Sequence, residues 1–266
     1  MTRMTGSPFE GTPTSPFDGT VDAMADLIAR TRDRNDRIAE FAAMYGAVTR
    51  RVRALSEVGS FDDADRMAAF VDRFAARFLG AVAAVDAGQP VTRSWSVVFK
   101  AAASWRPTVL QHLTLGMTAH IGLDLGVVAA EVASVPGGSG LDGLRPDFDA
   151  INDVLGSLVP AVQAAIGRLS PAIGLLDAAG GRADALAVSR VIGVARALAW
   201  SSAVELTPLT GRERAAAIAE IDERVAIASR AIAHPGPVMS SILLPIRLME
   251  RRSVAEAVDE LAKIDG

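Results

Sequence analysis

The residues best suited to acid–base or metal chemistry lie in one apolar stretch of the chain. His120 and Asp124 are four residues apart, so on an α-helix they share a face one turn apart. At that spacing an imidazole and a carboxylate can hold one metal ion together or hydrogen-bond to each other. The chain has three histidines and no cysteine, which excludes disulfides, thiolate metal sites and a cysteine nucleophile. His120 and Asp124 are therefore the candidate catalytic pair.

Two more residues are candidate metal ligands beside this pair. His112 lies eight residues before His120, about 12 Å along a helix, so a straight helix keeps it away from a single metal ion. Gly116 could allow a distortion between the two histidines; otherwise His112 serves a second position or is structural. Asp72 lies within an apolar run and either points inward or pairs with an arginine at the surface. Histidine and carboxylate ligands would suit one zinc or iron ion.

Three other polar residues have two interpretations each. Tyr45 is the only tyrosine, and its hydroxyl is either a catalytic donor or a satisfied core group. His234 stands at a predicted helix end, where an imidazole favourably meets the helix dipole. Arg196 lies on an otherwise apolar segment, and a buried arginine requires a carboxylate. The candidate partners of Arg196 are Asp72, Asp124 and Glu205.

Helices must position these residues, because apolar side chains recur with a 3.6-residue period and strict alternation is nearly absent. We predict an all-α protein, a single large multi-helix bundle around a central apolar helix near 107–134, which is apolar on all sides. Gly116, Gly122 and Gly126 lie inside that helix and imply close approach of another helix or a ligand. The predicted helices span 21–33, 38–57, 61–86, 94–104, 107–134, 147–168, 171–178, 183–206, 211–233, 237–249 and 254–264.

The domain organisation follows from the breaks between these helices. Residues 1–18 contain prolines and small polar residues without the apolar core of a signal peptide, so we expect a flexible leader and a cytoplasmic protein. Residues 19–266 form the helical domain. A glycine-rich break at 135–146 could divide that domain, although one domain with a long loop is favoured.

Charge and hydropathy restrict the partners. The 27 basic and 31 acidic residues give a net charge of −4, which argues against nucleic acid as a partner. We expect no membrane span, because the most apolar stretch contains two histidines and an aspartate, and a charge at the bilayer centre costs about 3 kcal/mol. The expected partner is a hydrophobic small molecule. Whether the chain forms a homo-oligomer is open.

Two resemblances involve the central stretch QHLTLGMTAHIGLDL, residues 111–125. With echoes at Asp72, Trp95 and Arg196, it resembles an uncharacterised helical family found largely in actinomycetes, which implies a helical fold and no assigned activity. The pair His120 and Asp124 is also similar to the histidine/aspartate helix motif of zinc-dependent phospholipase C and related nucleases. Those enzymes use many histidines and an amino-terminal tryptophan, so at most a mononuclear or carboxylate-rich site fits this chain.

Three functions remain, and whether the protein is an enzyme stays open. In the first, one divalent metal held by His120, Asp124 and either Asp72 or His112 polarises a hydrophobic substrate or activates water, as in a hydrolase, lyase or cyclase. In the second, Asp124 orients His120 as a metal-free acid or base acting on a natural-product intermediate. In the third, the protein is a non-catalytic helical module that binds a ligand or has a structural role.

Overall fold

Helices account for all the regular structure in the computed structural model, which describes residues 17–173, 182–250 and 253–264, with side chains omitted for 182–189. These ranges contain eleven α-helices, one π-helical segment and no strand, so the predicted all-α class is confirmed. The helices are α1 (Asp18–Asp33), α2 (Ile38–Glu57), α3 (Ala64–Asp86), α4 (Arg93–Ala102), α5 (Val109–Ala119), α6 (Gly126–Ala133), α7 (Gly140–Leu169), α8 (Arg182–Leu206), α9 (Gly211–Ala233), α10 (Gly236–Met249) and α11 (Val254–Leu261).

The apolar stretch predicted to be central forms one continuous rod from Val109 to Ala133. It packs against α2, α3, α4, α7, α8 and α9, and most of its side chains are buried. Two apolar clusters flank the rod, one mainly on the α5 side and the other mainly on the α6 side. Burial on all sides explains why the sequence of this rod has no polar face.

The rod is not a uniform α-helix. Residues His120–Leu125 form a π-helical segment between α5 and α6, which widens the helix where the candidate pair lies. Short π-segments inside α-helices are frequent at functional sites. The distortion thus falls at His120 and Asp124 themselves, whereas the sequence suggested Gly116.

The three glycines of the rod are sites of close packing, as the sequence predicted. A Cβ on Gly116 would lie 2.3 Å from the Phe41 ring, and one on Gly126 would lie 2.7 Å from the carbonyl oxygen of Ala199. A Cβ on Gly122 would lie 3.0 Å from a methyl carbon of Val225. Side chains and backbone of neighbouring helices therefore occupy the space that a larger residue would need.

Several predicted helix ends require correction. The helix predicted at 61–86 begins at Ala64, because the Asp63 side chain caps it by accepting from the Arg66 backbone N–H. Helix α7 begins at Gly140, whereas the sequence predicted a start near 147, and it runs without a break through Pro160 to Leu169. Helix α11 begins at the predicted position, with a capping box between Ser253 and Glu256.

Parts of the predicted leader and of the predicted helix 171–178 lie outside the described residues. Residues 1–16 and 174–178 belong to that part of the chain. Phe17, by contrast, is 1% exposed and packs with the α6-side cluster, and α1 begins at Asp18. The helical domain therefore includes residues 17 and 18, which the sequence assigned to the leader.

Among the described residues, two helical segments are long and apolar enough to cross a membrane, Val109–Ala133 and Gly140–Leu169. The first is 72% buried inside the protein over its most apolar window. The core helix of a globular protein meets the same criteria of length and composition, so these two segments are weak evidence for a membrane span.

Candidate active site

His120 and Asp124 are in direct contact in the core. His120 Nδ1 lies 3.0 Å from Asp124 Oδ2, and the two side chains are 2% and 1% exposed. Two further N–H groups bond to the Asp124 carboxylate: Trp95 Nε1 donates to Oδ2 over 2.9 Å, and Arg77 Nε donates to Oδ1 over 2.6 Å. Three elements thus meet at Asp124, because Arg77 comes from α3 and Trp95 from α4.

This arrangement sets the protonation of both residues. Burial lowers the pKa of His120, and it outweighs the hydrogen bond and charge of Asp124, which act in the opposite direction. Burial alone would raise the pKa of Asp124, but the contacts with His120 and Arg77 hold it below its usual range. Since an ionised carboxylate can only accept, Nδ1 of His120 carries the ring proton. The Nε2 atom of the neutral ring is then a free acceptor.

Aromatic side chains hold the imidazole from several directions. The Phe74 ring stacks on it with centroids 3.6 Å apart and planes within 7°. The Tyr45 ring meets it edge to face at 4.6 Å. Phe41, Phe78 and Trp95 complete the surroundings at centroid distances near 6 Å. The ring orientation is therefore fixed by packing as well as by Asp124.

A cavity of about 460 Å³ adjoins this site between α2, α3, α5, α7 and α8, and His120 and Tyr45 lie in its wall. Asp124 does not line the cavity. Asp124 takes up the Nδ1 side of the imidazole, so the opposite ring edge, which carries Nε2, is free of the carboxylate. Apolar side chains form most of the wall, among them Phe41, Phe70, Leu110, Leu155, Leu158 and Ile166.

Two polar atoms at this wall are left without a partner. Within the described residues, neither His120 Nε2 nor the Tyr45 hydroxyl has a hydrogen-bond partner, and both atoms are buried. Burial raises the pKa of Tyr45, so its hydroxyl stays protonated. A buried polar atom without a partner costs free energy of the order of 1–3 kcal/mol. The two atoms offer one acceptor and one donor to a bound molecule.

His112 belongs to a different polar cluster and not to this site. It is buried on α5, and burial, with the charges of Arg37 at the start of α2 and Arg247 on α10, lowers its pKa to about 3. Two buried glutamates lie in the same cluster. Glu40 pairs with Arg37 at 3.1 Å, and Glu250 accepts from the Val109 backbone N–H over 3.1 Å.

The four predicted metal ligands are not brought together. Asp72 is exposed on α3 and accepts a hydrogen bond of 2.6 Å from the Thr20 hydroxyl, so it does not point inward. Over the ranges that the structure covers, no group of three or more histidines and carboxylates could hold a metal ion. Both oxygens of Asp124 already accept from N–H donors, which leaves this carboxylate poorly placed to bind a cation.

Arg196 and His234 complete the predicted set. Arg196 is buried in the cavity wall, but its partners are the Asn152 side chain, over 2.6 Å, and the Phe148 carbonyl oxygen. None of the three predicted carboxylates pairs with it in the described structure. His234 is the C-cap of α9, as its position predicted, and its backbone N–H donates to Arg230.

Sequence reasoning missed three residues that hold the pair: Phe74, Arg77 and Trp95. One signal was present for Arg77. Phe70, Phe74 and Arg77 follow a spacing of four and three residues, which places the arginine on the buried stripe of α3. A charged residue on such a stripe predicts a buried partner. Trp95 was visible only as a buried-type residue near the start of α4.

Comparisons with known proteins assign the chain to a family but give it no activity. A family model described as "Family of unknown function (DUF5995)" matches residues 17–235. This match confirms the resemblance to an uncharacterised family and extends it well beyond the central stretch. No curated protein and no solved structure matches the chain. The similarity to zinc-dependent phospholipase C stays a prediction.

Proposed function

Because the chain belongs to this family, DUF5995, whose description names no reaction, we propose a function from the geometry of the site. The protein binds a hydrophobic small molecule in the cavity beside His120, and the imidazole, oriented by Asp124, acts on it as a metal-free acid–base group. The single observation that carries this proposal is the buried, unpartnered Nε2 of His120, a residue that lines a largely apolar cavity. Within the described residues, that atom has no structural partner.

The chemistry follows from the order of contacts. Asp124 fixes the tautomer with the proton on Nδ1, as a carboxylate does for the base of a catalytic triad. The Nε2 lone pair can then accept a proton from an acidic O–H or C–H of a bound molecule. Asp124 would stabilise the resulting imidazolium. Arg77 and Trp95 keep Asp124 ionised and in place, so neither needs to contact the substrate.

The first experiment tests occupancy of the cavity. The neutral fluorophore N-phenyl-1-naphthylamine should bind to the wild-type protein with increased emission, since the wall is apolar. Met117 lines the cavity, so Met117→Trp should fill part of it and weaken binding several-fold. Met249→Trp is the matched control, because Met249 is 53% exposed and lies away from the cavity. Equal binding by both variants would place the fluorophore elsewhere and overturn the proposed binding site.

The second experiment tests the acceptor role of His120. 1-Naphthol can donate a hydrogen bond to Nε2, whereas 1-methoxynaphthalene cannot. We expect wild-type protein to prefer naphthol by about 2- to 10-fold, the value of one neutral hydrogen bond, and His120→Phe to lose that preference. An unchanged ratio in the variant would support the non-catalytic module instead.

Metal content separates this proposal from the metal-dependent one. Elemental analysis of protein purified without a histidine tag should find less than stoichiometric zinc and iron. Stoichiometric metal that disappears in His120→Ala would replace the acid–base proposal with a metal site. The same preparation serves both measurements, so the two hypotheses are tested on identical material.

A further inference from the structure

The cavity wall carries one buried positive charge that the proposed chemistry does not use. Arg196, on α8, is 4% exposed and is the only charged residue among the described residues that line the cavity. The guanidinium lies over the Phe148 ring, with its central carbon 4.2 Å from the ring centroid. An arginine in such surroundings has lost its water and needs compensation.

The protein supplies only part of that compensation. Nε donates to Asn152 and Nη2 donates to the Phe148 carbonyl oxygen, which uses two of the five N–H groups of a guanidinium. Both acceptors are neutral. In the part of the chain that the structure describes, no carboxylate forms an ion pair with Arg196.

The carboxylate whose charge acts on Arg196 already has another hydrogen-bond partner. Asp149 acts on Arg196 through its charge, but its carboxylate accepts from Arg145 over 2.5 Å. Burial lowers the pKa of Arg196 to about 10, so the guanidinium keeps its charge at neutral pH. A cation that the protein compensates only in part therefore adjoins a cavity whose other described lining residues are uncharged.

From this juxtaposition we infer that the ligand of the cavity is an amphiphilic carboxylic acid, whose apolar body fills the cavity and whose carboxylate pairs with Arg196. A guanidinium binds a carboxylate through two parallel N–H···O bonds, and the N–H groups left free on Arg196 permit such a pair. The inference rests on the proposed function and names its ligand class. It also explains why this buried arginine has no carboxylate of its own.

The test compares ligands that differ only in the head group. Dodecanoate, 1-dodecanol and methyl dodecanoate compete with N-phenyl-1-naphthylamine for the wild-type protein. Hydrogen bonds to a charged group predict that dodecanoate binds roughly 10- to 100-fold more tightly than either neutral analogue. Arg196→Met should abolish that preference, and Arg196→Lys should keep part of it, since the charge remains without the planar pair of donors. Arg224→Met, at an exposed position of α9, should behave as the wild type.

The outcomes separate this inference from the proposed function. If dodecanol displaces the fluorophore as well as dodecanoate does, or the preference survives in Arg196→Met, the inference is wrong while the apolar site stands. If neither lipid nor fluorophore binds, the proposed function fails. Each preference is a ratio measured within one variant, so a variant that folds less completely still reports the head-group selectivity. Should Arg196→Met not fold, Arg196→Lys alone must reduce the ratio for the inference to hold.

Discussion

At the scale of single residues, Asp124 determines the state of the site. Its carboxylate accepts from N–H groups of three different helical segments, and it is almost completely buried. Each donor would lose a partner if the carboxylate changed. The same contacts prevent His120 from turning, which leaves Nε2 in one defined position.

Replacing Asp124 with asparagine should therefore destabilise the protein strongly. The amide NH₂ would face N–H donors, and Arg77 would lose its counter-charge, so we expect a loss of about 2–4 kcal/mol in the free energy of unfolding. Urea denaturation followed by circular dichroism measures it. Asp72→Asn is the matched control: Asp72 is exposed, and the expected change is within about 0.5 kcal/mol. Similar losses in both variants would contradict the central role of Asp124.

At the scale of elements, the rod from Val109 to Ala133 is placed by its glycines as much as by its apolar residues. Gly126 allows α8 to approach until its Ala199 carbonyl oxygen occupies the space of a missing Cβ. Gly116 does the same for the Phe41 ring, which also lines the cavity. These contacts bring α2 and α8, two walls of the cavity, onto the helix that carries His120.

Glycine-to-alanine substitutions should distinguish a glycine that allows close helix packing from a glycine with open space around it. Gly126→Ala should destabilise by about 1–3 kcal/mol, since the rigid carbonyl of α8 must move. Gly80→Ala, on the exposed face of α3 with open space around it, should stabilise by about 0.5–1 kcal/mol because alanine favours the helix. Thermal and urea unfolding measure both. Stabilisation by Gly126→Ala would show that α8 lies farther from the rod.

At the scale of the whole molecule, stability depends on pH through the buried histidines. The folded chain keeps His112 neutral down to a pKa of about 3, whereas the unfolded chain binds a proton near pH 6.5. Stability contributed by this group is therefore lost as the pH falls below about 6.5. The neighbouring Glu40 acts in the opposite direction. Burial raises its pKa to about 7, so its contribution grows as the pH falls from 7 towards 4.5.

A histidine substitution isolates the first of these effects. Between pH 7.5 and 5.5, His112→Leu should lose about 1.4 kcal/mol less stability than the wild type, the value of one pH unit below the unfolded pKa. Urea denaturation at the two pH values measures this difference, and the contribution of Glu40 largely cancels in the comparison. Val109→Ala, which truncates a buried side chain without a titratable group on the same helix, should retain the wild-type dependence. An identical pH dependence in His112→Leu and the wild type would contradict the assignment.

Local interactions explain why so much of the fold could be predicted from the sequence. The 3.6-residue period of the apolar residues predicted the helices, and the stretch near 107–134, which has no polar face, predicted the central rod. Both patterns depend on neighbours three or four residues away. The hydrogen bond between His120 and Asp124 belongs to the same class. Even the close packing at Gly116, Gly122 and Gly126 was implied by the cost of glycine inside a helix.

The residues around the pair were decided only by tertiary structure. Arg77 and Trp95 lie 47 and 29 positions before Asp124, and helical periodicity carries no information about contacts at such separations. For the same reason the chain alone could not exclude Asp72 from the site or assign His112 to the second cluster. The missing partner of Arg196 is the clearest case. The sequence determined that an arginine on an apolar helix needs a carboxylate partner. In the folded structure a cavity adjoins Arg196 and no described carboxylate pairs with it, because helix packing and not residue type decides which side chains meet.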